Sequence, residues 1–281
     1  MIDLQYQAPH DALVPFVSSL YRFEYNGEAI RQPERADRAQ FRILLNGQGQ
    51  YEFIDGTGCA MSAVTIMGPT TAPMHTLADG PLTIFGWGMT PAGWAALMGK
   101  AAGNWVDQAF DARTIFGDAL IQLQQQLMDA PDIETQFAIG QIAAAEIFAA
   151  LDTAPFEFTS LVDHWLLHDA EHEIDALAVA TGLSPRQLER MTNRYYGMPP
   201  KKLARKYRAL RAAHRLAVGD SLNDTELGLA FYDQSHLIRE VKHFTGLTPS
   251  ELKAGSSILT AATIRERAKL GDTVSPLISE S

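Results

Sequence analysis

Between residues 184 and 249 the sequence contains itself twice. Leu188, Arg190, Gly197 and Pro200 recur as Leu237, Arg239, Gly246 and Pro249, each pair 49 residues apart. Both copies run capping residue, helix-forming stretch, aromatic, Gly, then x-x-Pro. Ser184 precedes Pro185 at the first helical position, with Gln187 three residues on, the pattern of an N-cap closed by a capping box. Asp233 occupies the equivalent place in the second copy. Gly197 and Gly246 stand where each helix needs a left-handed residue to end. A shorter helical pattern precedes each cap, at 174–181 and at 224–230. Helix, tight turn, helix is the helix-turn-helix arrangement. Paired short helices also build repeat arrays, so the spacing alone does not decide between a DNA reader and a scaffold.

Charge weighs on that choice. The 281 residues carry a formal net charge of -10, but unevenly. Residues 174–253 hold 13 Lys/Arg against 8 Asp/Glu, residues 1–173 hold 7 against 22, and the remainder balances. Such asymmetry is the compositional mark of a polyanion-binding module joined to a different one. Within 186–211 there are nine Lys/Arg and one acid, Glu189. A merely solvated helix face would mix the signs.

The stretches LAVATGLSPRQLERMTNRYYGMPPKKL and FYDQSHLIREVKHFTGLTP resemble the DNA-binding region of the AraC/XylS family of bacterial transcription regulators, over about 80 residues. Ala230 departs from the glycine usual before the aromatic, which predicts a slightly altered turn. The resemblance implies two recognition helices, at about 185–196 and 234–244. On the first, Leu188 and Met191 take the inward side, leaving Arg186, Glu189, Arg190 and Asn193 outward. Arg pairs bidentately with guanine, Asn with adenine, and Glu accepts from cytosine. Gln187 belongs to the same first turn. On the second, Leu237, Val241 and Phe244 form the inner stripe, while Gln234, Ser235, His236 and Arg239 lie where a helix end meets base edges. Lys242 and His243 fall later and suit phosphate. Between the units, 201–217 reads as a basic helix whose Lys201, Lys202, Arg205 and Arg208 could reach phosphate. A helix of that length spans roughly 25 Å, a strut for presenting two readers to successive major-groove windows about 34 Å apart.

The first third reads as strands. FRILL and QYEFI flank an Asn-Gly turn signal and predict a hairpin; AVTIM and LTIFGWGM continue the pattern. Thr90 and Pro91 then open a helix through Met98, and helical patterns follow at 117–128, 133–151 and 158–168. The segment GMTPAGWAALMGKAAGNWVDQAFD resembles the end of sensor domains in the same family. The resemblance therefore implies an α+β multidomain chain: an N-terminal cupin-like β-barrel or sandwich with appended helices, and a C-terminal all-α tandem helix-turn-helix. Residues 1–155 form the effector-sensing or dimerisation part (β-rich to 90, helical from 91), 156–253 the DNA-binding part, and 254–281 a loosely held tail. Expected partners are a double-stranded DNA operator, a small-molecule effector, RNA polymerase and a second copy of the chain. The effector-binding residues stay unassigned.

Rival readings are fewer. A cupin-type enzyme needs closely spaced metal ligands, and the β-rich part offers only His75 after His10. A DNA-repair methyl acceptor needs an activated thiolate, and Cys59 has no base or second cysteine beside it in sequence. A non-specific architectural binder would not need two recognition helices with different polar faces. No catalytic residue, metal site or cofactor is expected. Phe41, Tyr51, Phe53, Met61, Met67, Phe85 and Trp87 serve as core or as an apolar pocket. No signal peptide or membrane span is apparent, which suits a cytoplasmic activator.

Overall fold

A computed structural model describes residues 2–149, 151, 155–168, 172–221, 230–254 and 258–281. The N-terminal part is a pair of antiparallel sheets. Six strands run in the order β1 (Ile2–Gln7), β2 (Val17–Tyr25), β9 (Leu82–Met89), β4 (Gln40–Asn46), β7 (Val64–Met67) and β10 (Ala109–Asp111). The facing four are β3 (Ile30–Glu34), β8 (Met74–Ala78), β5 (Gly49–Glu52) and β6 (Gly58–Ala60). Every pairing among the described strands is antiparallel, but only β1/β2 and β5/β6 join consecutive strands, so most neighbours are brought together by longer connections between the sheets. Strand β9 is buried along its whole length, so it reads as a continuous apolar run rather than an alternating one.

The expected hairpin around Asn46-Gly47 is not there. β4 pairs with β7 and β9 in one sheet, and β5 with β6 and β8 in the other. A register shift between Leu44 and Asn46 bends the end of β4, and Gly47 at φ +89 carries the chain across to the second sheet. The Asn-Gly pair makes a corner between sheets. The aromatic and Met residues of uncertain duty resolve toward core. Phe41, Tyr51, Phe53, Met67, Phe85 and Trp87 are all buried, with Phe41 stacked on Trp87 at 4.3 Å.

Thr90 caps α1 (Pro91–Met98) by accepting the Gly93 N–H at 2.8 Å. The helices α2 (Arg113–Phe116), α3 (Ala119–Asp129) and α4 (Ile133–Ala149) then cover the six-stranded sheet, with Leu120, Leu123, Leu127, Phe137, Ala144 and Phe148 closing its core.

Among the described residues the further helices are α5 (Phe156–His168), α6 (Ile174–Thr181), α7 (Pro185–Tyr196), α8 (Pro200–Val218), α9 (Gln234–Thr245), α10 (Pro249–Ala254), α11 (Leu259–Ala268) and α12 (Pro276–Ser279). Of the expected first helix of the second unit, 224–230, all but Ala230 lies outside the described residues. Helix α8 spans 19 residues, about 28 Å, and serves two cores in turn. Its Leu203 and Tyr207 join Trp165, Leu177, Leu188 and Tyr196. Its Ala212 and Leu216 join Leu237, Val241 and Ile264.

The C-terminal stretch is a correction. Helix α11 lies between the two halves: Leu259 and Ala262 pack on the β-rich part, while Ala261 and Ile264 pack in the second helix-turn-helix core. A helix buried on both sides shows no amphipathic period, so its sequence reads as patternless. Leu277 and Ile278 of α12 are buried as well.

Candidate nucleic-acid interface

Two helix ends carry the expected DNA-reading residues, and each is built by local chemistry. At α7, Ser184 Oγ accepts the Gln187 N–H at 3.4 Å and Gln187 Oε1 accepts the Ser184 N–H at 3.0 Å. The capping box is closed, so the Gln187 carbonyl is committed to the cap rather than left to a base. At α9, Asp233 Oδ1 accepts the His236 N–H at 2.6 Å. Gly197 and Gly246 end the helices at φ +77 each, as their positions in the repeat require.

On α7, Arg186, Glu189 and Arg190 are exposed around the first two turns. Asn193 is half-buried, and its amide donates to the Glu189 carbonyl at 2.9 Å. The inner face is Leu188, Thr192 and Tyr196, with Met191 half-buried. On α9, Gln234, Ser235, Arg239 and Lys242 are exposed, and Leu237, Val241 and Phe244 are buried. His236 turns back on its own turn. It is half-buried, its Nδ1 accepts the Tyr232 N–H at 3.3 Å, and its ring meets Phe231 edge-on.

The basic run divides. Lys201 is exposed and Lys202 half-exposed at the start of α8. Arg205, read from sequence as a phosphate contact, instead forms a bidentate pair with Glu240 of α9, at 2.9 and 2.7 Å. The Glu240 carboxylate is held low against the cost of its burial by that guanidinium. The pair braces α9 against α8. Arg208, the fourth phosphate candidate, is half-buried with its Nε enclosed and unbonded. Arg211 donates to the Leu167 carbonyl at 3.3 Å.

Lys206, one residue beyond Arg205, is 2% exposed and belongs to the contact between the halves. Its Nζ donates to the backbone carbonyls of Asp37 at 2.6 Å and Thr70 at 2.8 Å. Burial pushes the ammonium down to about 7, despite the nearby Asp37. The Asp37 carboxylate is met by Arg267 of α11 at 2.7 and 3.2 Å, with Arg35 at 3.7 Å. Burial alone would raise its pKa, but Arg267 and Arg35 hold it well below the carboxylate range. Backbone joins the halves too, since the Ala36 N–H donates to the Phe244 carbonyl at 2.7 Å. Both helix-ending glycines take part: a Cβ on Gly197 would stand 2.7 Å from Val106, and one on Gly246 would stand 3.3 Å from Pro73. The C-terminal ends of α7 and α9 are therefore docked on the β-rich part, while residues of their N-terminal turns are exposed. Sequence reasoning missed Asp37, Lys206, Glu240 and Arg267. For Lys206, Glu240 and Arg267 the only signal is a charged residue at a buried helical position, which emerges once the face is known; Asp37, between β3 and β4, gives none.

The β-rich part holds little free space between its sheets and α11. The cavity beside Tyr21, Arg42 and Leu259 measures about 30 Å³, room for about one water, because Arg42 fills it in paired contact with Glu34 (3.0 Å) and Gln40 (3.0 Å). Among the described residues no three His, Cys, Asp or Glu side chains cluster as a metal site would need. His75 lies 4.0 Å from Glu52, its pKa lowered by partial burial. Burial also raises the Cys59 thiol, away from the thiolate a methyl acceptor needs. No described helix is long and apolar enough to cross a membrane.

Residues 177–255 match a family model described as a helix-turn-helix domain, and that region is of the AraC type. The chain therefore carries a DNA-binding module. A solved structure of an apo ToxT variant from Vibrio cholerae strain SCE256 is similar in fold, with a TM-score of 0.50 and 9% identity over 87% of this chain and 98% of that one. It supports the pairing of a sheet-rich N-terminal part with a C-terminal helical part. The AraC-like transcriptional activator CuxR matches at a TM-score of 0.30 and 11% identity, over 75% of this chain and 86% of that one. A cupin superfamily protein from Desulfitobacterium hafniense DCB-2 matches at 0.25 and 15% identity, over 32% of this chain and 77% of that one. No curated protein sequence matches significantly.

Proposed function

We propose that the protein is a sequence-specific transcriptional regulator of the AraC/XylS type. Helices α7 and α9 read two successive major-groove segments of a double-stranded operator, and a small molecule acting through the β-rich half controls their presentation. One observation carries this reading: two N-capped helices of a helix-turn-helix domain expose unlike polar sets, Arg186/Glu189/Arg190 and Gln234/Ser235/Arg239, over their first two turns. Different donor and acceptor sets at equivalent places suit specific rather than architectural binding. Lys201, Lys202 and Lys242 supply phosphate contacts beside them. The protein acts in the cytoplasm as an activator, by binding DNA rather than by catalysis, and its functional partners include RNA polymerase and a second copy of the chain.

Titrations on matched and mutated operators test the assignment. Arg186→Ala and Gln234→Ala should each relax base preference at one segment, costing about 1–3 kcal/mol on the preferred sequence. Lys202→Ala should weaken binding to all sequences alike and lower the salt slope by about one. Unchanged specificity and salt slope in all three would remove the assignment.

A further inference from the structure

The largest cavity described lies away from the filled space between the sheets. It measures about 410 Å³ and is walled by three parts of the chain: the segment leading into β2 together with the start of α1, helix α5, and the C-terminal stretch around α12. Cavities of this size hold small organic ligands. Its walls are mostly apolar, with Pro15, Pro91, Phe156 and Val274 among them. Two charged groups, Arg38 and Asp163, interrupt that surface.

Arg38 is buried and only partly satisfied. Its side chain is 9% exposed. Nε donates to the Tyr207 hydroxyl at 2.8 Å, while Nη2 is fully enclosed with no hydrogen-bond partner. The nearest carboxylate oxygen, Asp163 Oδ2, stands 4.0 Å from Nη2, beyond hydrogen-bond reach. Asp163 is itself held from the other side, where Oδ1 accepts the Tyr196 hydroxyl at 2.9 Å. A buried donor without an acceptor costs about 1–3 kcal/mol, and more when charged. The pair is close to neutral, so a ligand with net charge would leave one buried charge uncompensated. Both residues line the cavity, so the pair offers a guanidinium donor and a carboxylate acceptor to it side by side.

We infer that this cavity is a binding site for an uncharged, largely apolar small molecule presenting an adjacent carbonyl and N–H, as in a carboxamide or lactam. The carbonyl accepts from Arg38, the N–H donates to Asp163, and the hydrocarbon part lies against the proline-rich wall. Helix α5 packs in the core of the first helix-turn-helix unit through Val162, Trp165 and Leu166, and Tyr196 at the end of α7 bonds Asp163. Occupancy therefore bears directly on the first reader, a consequence that rests on the regulator reading above, whereas binding itself does not.

Calorimetric titration of the full chain with cinnamamide, cinnamate and cinnamylamine separates the chemistries, since the three probes share a shape and differ in charge. Cinnamamide should bind at least tenfold more tightly than either charged probe. Arg38→Gln should weaken it about tenfold or more. Because Arg38 is buried, Ser160→Phe provides a second variant: it places a ring into the cavity from the exposed side of α5 and should abolish binding with the unfolding midpoint retained. Absence of cinnamamide binding at millimolar concentration, equal or tighter binding of a charged probe, or binding that survives Ser160→Phe would each overturn the assignment. Selection of DNA sequences by the same preparation is scored separately. A DNA motif without cinnamamide binding sinks only the cavity proposal, and cinnamamide binding without a motif sinks only the regulator reading.

Discussion

Removing the Asp37 carboxylate should loosen the contact between the two halves by an amount the structure bounds. Asp37 accepts two charge-assisted bonds from Arg267, at 2.7 and 3.2 Å, and the Arg38 backbone N–H at 2.8 Å. Arg35 lies 3.7 Å away. Arg35, Lys206 and Arg267 are each 3% exposed or less, so Asp37→Ala leaves the guanidinium groups of Arg35 and Arg267 enclosed without their common counter-charge. Breaking one partner from a buried ion pair typically costs about 3–5 kcal/mol, a large part of the 5–15 kcal/mol that usually holds a domain. Arg267→Met with Asp37→Ala removes one orphaned charge along with the carboxylate. The double variant should then be at least about 2 kcal/mol more stable than the sum of the single losses predicts. Urea unfolding of the wild type, both single variants and the double variant gives the four free energies. A loss under about 1 kcal/mol for Asp37→Ala, or strict additivity, would refute the view that this cluster holds the halves together.

Other outcomes follow from the same contacts. Lys206 is pushed down to about 7 in the fold and has its ordinary value when unfolded, so between those values the unfolded chain binds the extra proton. Stability should therefore rise with pH from about 7 upward, with a slope no steeper than about 1.4 kcal/mol per unit; Lys206→Met should flatten the profile measured by urea midpoint between pH 6.5 and 8.5. Gly197→Ala should cost at least about 1 kcal/mol more than Gly182→Ala in the same measurement. Both sit at positive φ, but only the Gly197 Cβ would meet neighbours, Val106 at 2.7 Å and Pro69 at 2.8 Å. Arg205→Ala should lower affinity for DNA by misplacing α9 while leaving the salt slope nearly unchanged, because Arg205 is spent on Glu240; a slope lower by a full unit would restore it as a phosphate contact.

What the sequence made legible was local. Ser184, Asp233 and Thr90 each announce a helix start through a side-chain oxygen positioned for a backbone N–H two or three residues on, and all three caps form. The repeat located α7 and α9 for the same reason, since capping residue, apolar stripe and terminating glycine are short-range chemistry. Long-range choices were not legible. Asn46-Gly47 has the composition of a hairpin, but β4 and β5 instead pair with β9 and β8, 23 to 48 residues away in sequence. Helix α11 read as a tail because it buries both faces. Counting charges over 186–211 could not separate Lys202 from Lys206, because α8 buries most of its circumference and which of its cations stay exposed depends on packing partners far away in sequence.

The most direct test of the central claim is recovery of bound sequences from a random double-stranded DNA pool, at moderate salt, with the folded full-length protein. The account predicts an enriched bipartite motif whose two parts lie about one helical turn apart, one part degraded by Arg186→Ala and the other by Gln234→Ala. Binding with no enriched motif, or a motif indifferent to both substitutions, would contradict it.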